Sequence, residues 1–429
     1  MKYLTLLLGF LYLSCEHSKP IPTIPEWTKN STIYEIMPRQ YSETKNLKGI
    51  TMELDRIKSF FFNTLVILPL FERDEAGNAY NPVSPFALKS FNQIDPNLGQ
   101  EKELEELIDS VHSKGLKILM EWNLSVTGPN HPWRLENPEY YKSDTKIIDK
   151  RYNQDYIKLN LENKSLQSKL YKSYKDFFKK FEFDGVVLYD CNLYPSDFLN
   201  KIQTAVNRKD GFALMEHSST ITNGFHFHSN SGLYQRFQKI DSEGSNIDDL
   251  NIVVDSCSNI PLLNYVQDNL INERHGSDVN AFYNTYKYFH TLTFFLPGIQ
   301  WILNGQEGPQ FERISIFSSH PFSRQYKFNN DFFRSMAMQK FKNPALWNLD
   351  TTNLPVRISN SKEVLALERK SGNYGIVMLF NLTNKVVQFQ IDRDYSNYYE
   401  IFNKVPLNFI KNTDLQLGPY QSLLFSNVL

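Results

Sequence analysis

Short apolar runs alternate with amphipathic stretches between about residues 32 and 345. Buried parallel strands read as continuous apolar runs, whereas helices show apolar residues at a spacing of three to four. The runs that we predict as strands are 32–37, 63–68, 116–120, 185–188, 212–215, 224–227, 262–266 and 299–303. Strands that alternate with helices in this way predict an α/β protein whose strands close into a parallel (β/α)8 TIM barrel.

The stretch at 101–113, EKELEELIDSVHS, is the most regular of the predicted helices, and Gly115 follows it as a C-terminal stop. Residues 127–164, after the third strand, show no clear helix and predict a short loop excursion at the rim of the barrel. Beyond residue 352 the pattern changes to short alternating runs, which predict a C-terminal antiparallel β-sandwich over 352–429. The barrel is therefore assigned to residues 31–350.

Charge and cysteine content narrow the classes of partner. The net charge of −1 gives no electrostatic basis for binding nucleic acid, so we expect a neutral ligand. Beyond the first residues only Cys191 and Cys257 remain, too few for a disulfide scaffold or a zinc site, although pairing between them stays open. We expect no metal and no cofactor.

The amino-terminal segment MKYLTLLLGFLYLSC combines a lysine, an apolar run and a small residue before Cys15. This layout is typical of a signal peptide over residues 1–15, and its end resembles a bacterial lipoprotein signal. We expect an exported protein, periplasmic or at the cell surface, that is held at a membrane by lipid on Cys15. Simple secretion is the alternative, and the proline-rich residues 16–30 are predicted as a tether.

Several segments carry a family resemblance in chain order: IYEIMPRQYS, YNPVSPFALKSFNQIDPNLG, HSKGLKILMEWNLSV, FDGVVLYDCNLYPSDF and FLPGIQWILNGQEG. Together they resemble the first, second, third, fourth and eighth strand regions of the α-amylase superfamily, glycoside hydrolase family 13. The resemblance implies an α-glucan or a related oligosaccharide as ligand. It also implies retaining chemistry with an aspartate nucleophile, a glutamate acid/base and a stabilising aspartate at the carboxyl ends of the strands.

The catalytic set implied by this resemblance is incomplete. Glu216, in GFALMEHSS, matches the acid/base position, whereas Tyr189 stands at the nucleophile position and Leu270 at the stabiliser position. Val187 replaces the family's arginine. Glu216 is either a proton donor or a retained carboxylate that only makes hydrogen bonds.

Three rearrangements would restore chemistry. Tyr189 would act as a nucleophile, as tyrosine does in sialidases. Asp190 would replace it, although alternation along a strand predicts that Asp190 faces away from the pocket. Asp268, two residues before Leu270, would form a new carboxylate pair with Glu216.

The remaining candidates are binding residues. Tyr80 matches a family tyrosine that stacks on sugar, and Asn269 lies in the seventh-strand motif. In the third-strand motif the family's Asp-x-x-x-Asn-His becomes Glu121, Ser125 and Val126, which places a calcium site in doubt. The predicted ligand-binding set consists of Tyr80, Glu121, Asp190, Asp268 and Asn269.

Three functions remain open from the sequence. The first is a pseudoenzyme that binds an oligosaccharide or polysaccharide with little or no hydrolysis. The second is an active glycosidase or transglycosidase with rearranged carboxylates around Glu216. The third is a protein-interaction ectodomain on a barrel that has lost its chemistry, since a fold does not fix a function.

Overall fold

The computed structural model describes residues 23–74, 84–149, 154–206, 211–218, 221–243, 247–256, 261–308, 310–319, 321, 330–348, 352–381 and 383–429. Eight parallel strands close into a barrel in which neighbours along the chain are neighbours in the sheet and the last strand pairs with the first. The barrel strands are Thr32–Ile36, Thr64–Ile67, Lys117–Trp122, Gly185–Tyr189, Ala213–His217, Phe227–Ser229, Leu262–Asn264 and Ile299–Leu303. The predicted TIM barrel is confirmed; only the sixth strand is displaced, since it begins at the last residue of its predicted range.

Helices surround this barrel. The predicted helix at 101–113 is confirmed as Glu101–Ser113, with Leu104, Leu107, Ile108 and Val111 buried on one face. Its first turn is fixed by a capping box between Gln100 and Glu103, and Gly115 follows its end with φ +72°. The other α-helices are Pro38–Tyr41, Leu47–Met52, Leu54–Ser59, Trp133–Glu136, Lys164–Lys180, Ser196–Val206, Leu233–Glu243, Ile247–Ser256, Asn269–His275, Asp278–Ala281, Tyr286–Phe295 and Asn330–Lys342. No helix in the described ranges has both the length and the apolar character to cross a membrane.

The excursion after the third barrel strand contains a small antiparallel sheet of three strands, Val126–Thr127, Tyr141–Asp149 and Gln154–Leu159. Its centre is the last of these strands, which pairs with both others. The sheet therefore gives the predicted loop excursion its own hydrogen-bonded framework.

The C-terminal part consists of antiparallel sheets, as predicted. The strands of a six-stranded sheet, in spatial order, are Val356–Arg357, Val364–Ser371, Tyr374–Asn381, Ser422–Ser426, Tyr395–Glu400 and Pro406–Phe409. A second sheet pairs Val387–Phe389 with Leu415–Leu417. Side chains of both sheets, including Val377, Phe389 and Phe425, share one apolar cluster, so the two sheets pack on each other.

The described part of the predicted tether packs against the barrel. Glu26–Asn30 forms a 3-10 helix in which Thr28 is buried. The Trp27 indole donates a hydrogen bond of 2.7 Å to the carbonyl oxygen of Gly211, just before the fifth barrel strand. The chain is therefore attached to the amino-terminal end of the barrel from residue 26 onward, before the predicted domain boundary at residue 31.

Candidate functional site

A cleft of about 570 Å³ lies at the carboxyl ends of the third to seventh barrel strands, where TIM barrels build their sites. The residues that line it are Phe86, Asn123, Val126, Tyr189, Asp190, His217, Ser218, Ser231, Gly232, Gln235, Tyr265, Asp268, Leu270, Ile271 and Arg274. Of the predicted site residues, Tyr189, Asp190, Asp268 and Leu270 are thus brought together. Tyr80 and Cys15 lie outside the described residues.

Three rings form the floor of the cleft. The ring of Tyr189 stacks on that of His217 with centroids 4.4 Å apart and planes at 22°. The His217 ring is also nearly parallel to that of Tyr265, at 5.9 Å and 12°. These rings come from the ends of the fourth, fifth and seventh strands, so the barrel geometry itself builds a stacked aromatic platform.

His217 is held by the carboxylate of Asp268, which lies 2.8 Å from its Nε2 atom. The other oxygen of Asp268 accepts a 2.7 Å hydrogen bond from the backbone N–H of Ile271 and caps the helix Asn269–His275. Burial opposes the charged form of His217, but the hydrogen bond and charge of Asp268 outweigh it and raise the His217 pKa. For Asp268 the bond from His217 likewise outweighs burial, so its pKa is lowered.

Two further carboxyl groups are buried beneath this floor. The Tyr189 hydroxyl donates to Glu121 at 3.0 Å, and the Trp301 indole donates to Glu35 at 2.7 Å. Burial, together with the neighbouring acidic groups, raises the pKa of Glu121 well above its ordinary value and that of Glu35 to about 8. Both glutamates are fully buried, so Glu121 supports Tyr189 from below and does not reach the cleft surface as predicted for a binding residue.

The Tyr189 hydroxyl is not prepared to act as a nucleophile. Burial is the largest cause that raises its pKa well above the ordinary value, and the charges of Glu121 and Glu35 act in the same direction. An attacking phenol must lose its proton, which this environment opposes. The sialidase-like alternative therefore has no support in the geometry.

Of the two roles left open for Glu216, the geometry favours the retained carboxylate that only makes hydrogen bonds. Tyr189 pairs in register with His217, and because neighbouring strand residues point to opposite faces, Glu216 points away from the cleft. Its carboxylate accepts hydrogen bonds from His228 at 2.6 Å, from the backbone N–H of Thr222 at 2.8 Å and from Ser218. Burial raises the Glu216 pKa, but these hydrogen bonds outweigh it and leave the pKa lowered, which is the opposite of what a proton donor needs.

The expectation that Asp190 faces away from the pocket is wrong. The strand ends at Tyr189, and Asp190 adopts a left-handed conformation with φ +50° while its N–H donates to the carbonyl oxygen of His217 at 3.1 Å. The regular alternation that would turn Asp190 away is broken there, and the exposed side chain lines the cleft. Non-glycine residues in this conformation are uncommon and concentrate at functional sites.

Asn269 is fully buried below the cleft surface, where its side-chain N–H₂ group lies 3.5 Å from Glu121. It therefore orders the buried carboxyl groups and does not contact a ligand in the cleft. Leu270 does line the cleft and packs against an apolar cluster beside it.

Sequence reasoning missed His217 and Glu35. A charged residue inside the apolar run TIYEI was a usable signal for Glu35. For His217 the signal was its position next to Glu216, which gave two candidates of opposite orientation on one strand. Within the part of the chain that the structure describes, no group of three or more His, Cys, Asp or Glu side chains is arranged to hold a metal ion.

Residues 35–184 match the family model described as "Alpha amylase, catalytic domain". An oligo-1,6-glucosidase of Heyndrickxia coagulans is 27% identical over 117 residues, which is 26% of this chain and 20% of that protein. The amino acid transporter heavy chain SLC3A1 of Mus musculus is 31% identical over 117 residues, 26% of this chain and 16% of that protein. The chain therefore spans about a fifth or less of the length of these relatives.

Solved structures resemble more than nine-tenths of the chain. A noncanonic maltogenic α-amylase, AmyB from Thermotoga neapolitana, gives a TM-score of 0.81 at 17% identity and covers 93% of this chain and 99% of its own. An α-amylase from Geobacillus thermoleovorans in complex with acarbose gives 0.76 at 17% identity, covering 92% and 98%. At these identities the similarity establishes the fold, from the barrel to the C-terminal sheets.

Proposed function

The chain belongs to the α-amylase superfamily, and from that premise we propose that its cleft binds an α-glucan or a related neutral oligosaccharide with little or no hydrolysis. The observation that carries this proposal is the platform of Tyr189, His217 and Tyr265 at the mouth of the barrel. Tyr189 and Tyr265 are only 3% and 1% exposed because their faces stack on His217, so the three rings supply an apolar wall. The polar groups of Asn123, Asp190 and Gln235 line the same cleft, and a ligand pocket of this kind combines apolar walls with a few polar groups.

The arrangement of carboxylates argues against efficient hydrolysis. Retaining glycosidases place two carboxyl groups about 5 Å apart on either side of the scissile bond, and inverting enzymes place them roughly 6.5–9.5 Å apart. Among the described residues, the carboxylates that line the cleft belong to Asp190 and Asp268. Asp268 is already committed to His217 and to the helix cap, and its side chain is only 3% exposed, which leaves Asp190 without a free partner.

Calorimetric titration of the full-length chain tests binding, in a detergent without a sugar head group so that the detergent does not compete. We expect α-linked oligosaccharides to bind and Asp190→Asn to weaken binding by about tenfold or more, equivalent to about 1.4 kcal/mol. Asp109→Asn is the matched control, because Asp109 is exposed on the helix Glu101–Ser113, far from the cleft. Equal binding by the parent and Asp190→Asn would contradict the placement of the ligand.

Chromatographic product analysis after long incubation tests the second half of the proposal. We expect no products from α- or β-linked oligosaccharides. Products that form with the parent and disappear with Asp190→Asn would instead establish an active, rearranged site, since Glu216 faces away from the cleft.

One comparison favours a protein-interaction function as a second candidate. Over 117 residues each, the chain resembles both a glucosidase and a transporter heavy chain, so these similarities alone do not separate enzymes from subunits of other proteins. Absence of sugar affinity in the titration, together with a stable complex isolated from native membranes, would favour this candidate over the first.

We also propose that the protein is exported and anchored by lipid on Cys15. Trp27 and Gly211 meet at the amino-terminal end of the barrel, so the described part of the tether attaches to the end that lies away from the cleft. Labelling of cells with radioactive palmitate should mark the parent and not Cys15→Ser. Equal labelling of both, or release of the parent into the medium without label, would overturn the anchor.

A further inference from the structure

An apolar cluster fills the mouth of the barrel beside the cleft. Met37, Leu68 and Leu303 stand at the carboxyl ends of the first, second and eighth strands. Phe86, Ile314 and Ile316 cover them, and all six side chains are buried, none more than 6% exposed. We call these six residues the mouth cluster.

Hydrogen bonds fasten the loop after the eighth strand across this part of the mouth. The backbone N–H of Ile314 donates to the Asn272 side chain at 2.8 Å, and that of Ile316 donates to the Glu273 carboxylate at 2.8 Å. On the other side, the Gln40 side chain donates to the carbonyl oxygen of Ser315 at 2.7 Å. The loop is therefore tied both to the helix after the seventh strand and to the helix after the first.

The mouth cluster forms one wall of the cleft. Phe86 belongs to the cluster and lines the cleft, and the half-buried Val126 and Leu270 pack on the cluster and line the cleft as well. On the far side, Asp190, Gly232 and Gln235 are exposed. The mouth cluster therefore closes the cleft on the side of strands eight, one and two, and the cleft is open to solvent on the side of strands four to six.

From this shape we propose that the cleft accepts the end of a short saccharide chain, with the mouth cluster as the wall that stops the chain. A groove that binds the middle of a polysaccharide must let the chain leave at both ends, and the wall prevents that. The volume of about 570 Å³ falls in the range of roughly 300–1,000 Å³ that holds one small ligand. This inference rests on the proposed saccharide binding and specifies which part of the saccharide binds.

Linear and cyclic α-glucans of comparable size distinguish binding of a chain end from binding of the middle of a chain, because a cyclic glucan has no chain end. Titration of the full-length chain should show that affinity rises over the first few sugar units of linear glucans and then levels off. Cyclic glucans should bind at least about tenfold more weakly than linear ones. Equal affinity for both would overturn the wall and leave the proposed function standing, whereas no binding of either would overturn both.

The double substitution Ile314→Ala and Ile316→Ala tests the wall itself. Removing these side chains should open the mouth and narrow the difference between linear and cyclic glucans by severalfold. Ile358→Ala, at a buried position of the C-terminal sheets, is the matched control for loss of apolar packing and should keep the difference. If the folded double variant keeps the same difference in affinity between linear and cyclic glucans, the wall is contradicted. If the variant fails to fold, the titration of linear and cyclic glucans with the unsubstituted chain still tests the wall.

Discussion

At the scale of single residues, adjacent side chains on one strand have opposite roles. His217 faces the cleft between two tyrosine rings, whereas Glu216 faces the other way into a set of hydrogen bonds. One position along a strand is therefore enough to separate a surface group of the cleft from a structural carboxylate. The same step keeps the Glu216 carboxylate out of the cleft although it is the direct neighbour of His217.

Glu216→Gln should reduce stability without changing ligand binding. The Glu216 pKa is lowered from 4.5, so its stabilising effect is fully present above that value and is lost as the pH falls through the lower folded-state pKa. The amide leaves a donor of Thr222, Ser218 or His228 poorly satisfied, and we expect a loss of about 1–3 kcal/mol near neutral pH.

Denaturant unfolding at a series of pH values measures this loss, with Glu105→Gln as the control because Glu105 is exposed on an outer helix. The difference between parent and variant should shrink in acid. Loss of ligand affinity without loss of stability would mean that Glu216 contacts the ligand after all.

Glu35→Gln should have the opposite dependence on pH. Because the Glu35 pKa is raised from 4.5 to about 8, its neutral form fits the fold; its contribution is fully present below 4.5 and is lost as the pH rises toward 8. The parent should lose stability relative to Glu35→Gln by up to about 1.4 kcal/mol for each pH unit in that window. The same unfolding series measures it, and a difference that does not vary with pH would show that Glu35 is already charged in the folded protein.

At the scale of elements, the apolar pattern predicted seven barrel strands close to their observed bounds and placed the sixth too early. The pattern is informative because burial on both faces leaves an apolar run that polar loops interrupt. The site was less predictable. The left-handed conformation of Asp190 depends on where the fourth strand stops pairing with the fifth, and Asn269 is buried because the helix after the seventh strand begins at that residue. Such details follow from contacts between distant segments, which a periodicity in one segment does not contain.

Asp268→Asn should lower the His217 pKa while it preserves the helix cap. Asparagine still accepts the hydrogen bond from the N–H of Ile271, but the negative charge that raises the His217 pKa is lost. We expect the His217 pKa to fall, because burial then opposes the imidazolium with less compensation.

Histidine NMR signals followed against pH provide the measurement. The ring of His112, bonded to Asp184 at 2.8 Å near the amino-terminal end of the barrel, is the internal control. Asp268→Ala should lower the pKa in the same way but also cost about 1 kcal/mol through loss of the cap. A His217 pKa unchanged by Asp268→Asn would show that another group carries the charge interaction.

At the scale of the whole molecule, one apolar core crosses the boundary between the barrel and the C-terminal sheets. Leu367, Met378 and Leu424 of the six-stranded sheet belong to the same cluster as Leu292 and Phe295 of the barrel. Nearby, the buried ammonium of Lys340 donates to the carbonyl oxygen of Gly298 and to Asn348. The six-stranded sheet therefore completes the core of the barrel, and the two parts should unfold together.

Arg369→Met tests this coupling. Arg369 is fully buried on the six-stranded sheet and donates to the carbonyl oxygens of Phe295 at 2.8 Å and Asn353 at 2.7 Å. Methionine keeps much of the volume but leaves these buried acceptors unsatisfied, so we expect a loss on the order of 3 kcal/mol. Lys385→Met is the control, since Lys385 and its partner Glu363 are 65% and 42% exposed and their ion pair should contribute little.

Tryptophan fluorescence distinguishes unfolding of the barrel from unfolding of the C-terminal sheets. All five tryptophans precede residue 352, so their fluorescence reports the barrel and the segment that joins it to the sheets. If the molecule unfolds as one unit, a substitution in the six-stranded sheet must lower the midpoint of the tryptophan fluorescence transition. A tryptophan transition unaffected by Arg369→Met, beside an earlier loss of β-sheet signal, would show that the sheets unfold separately and that the barrel holds its cleft without them.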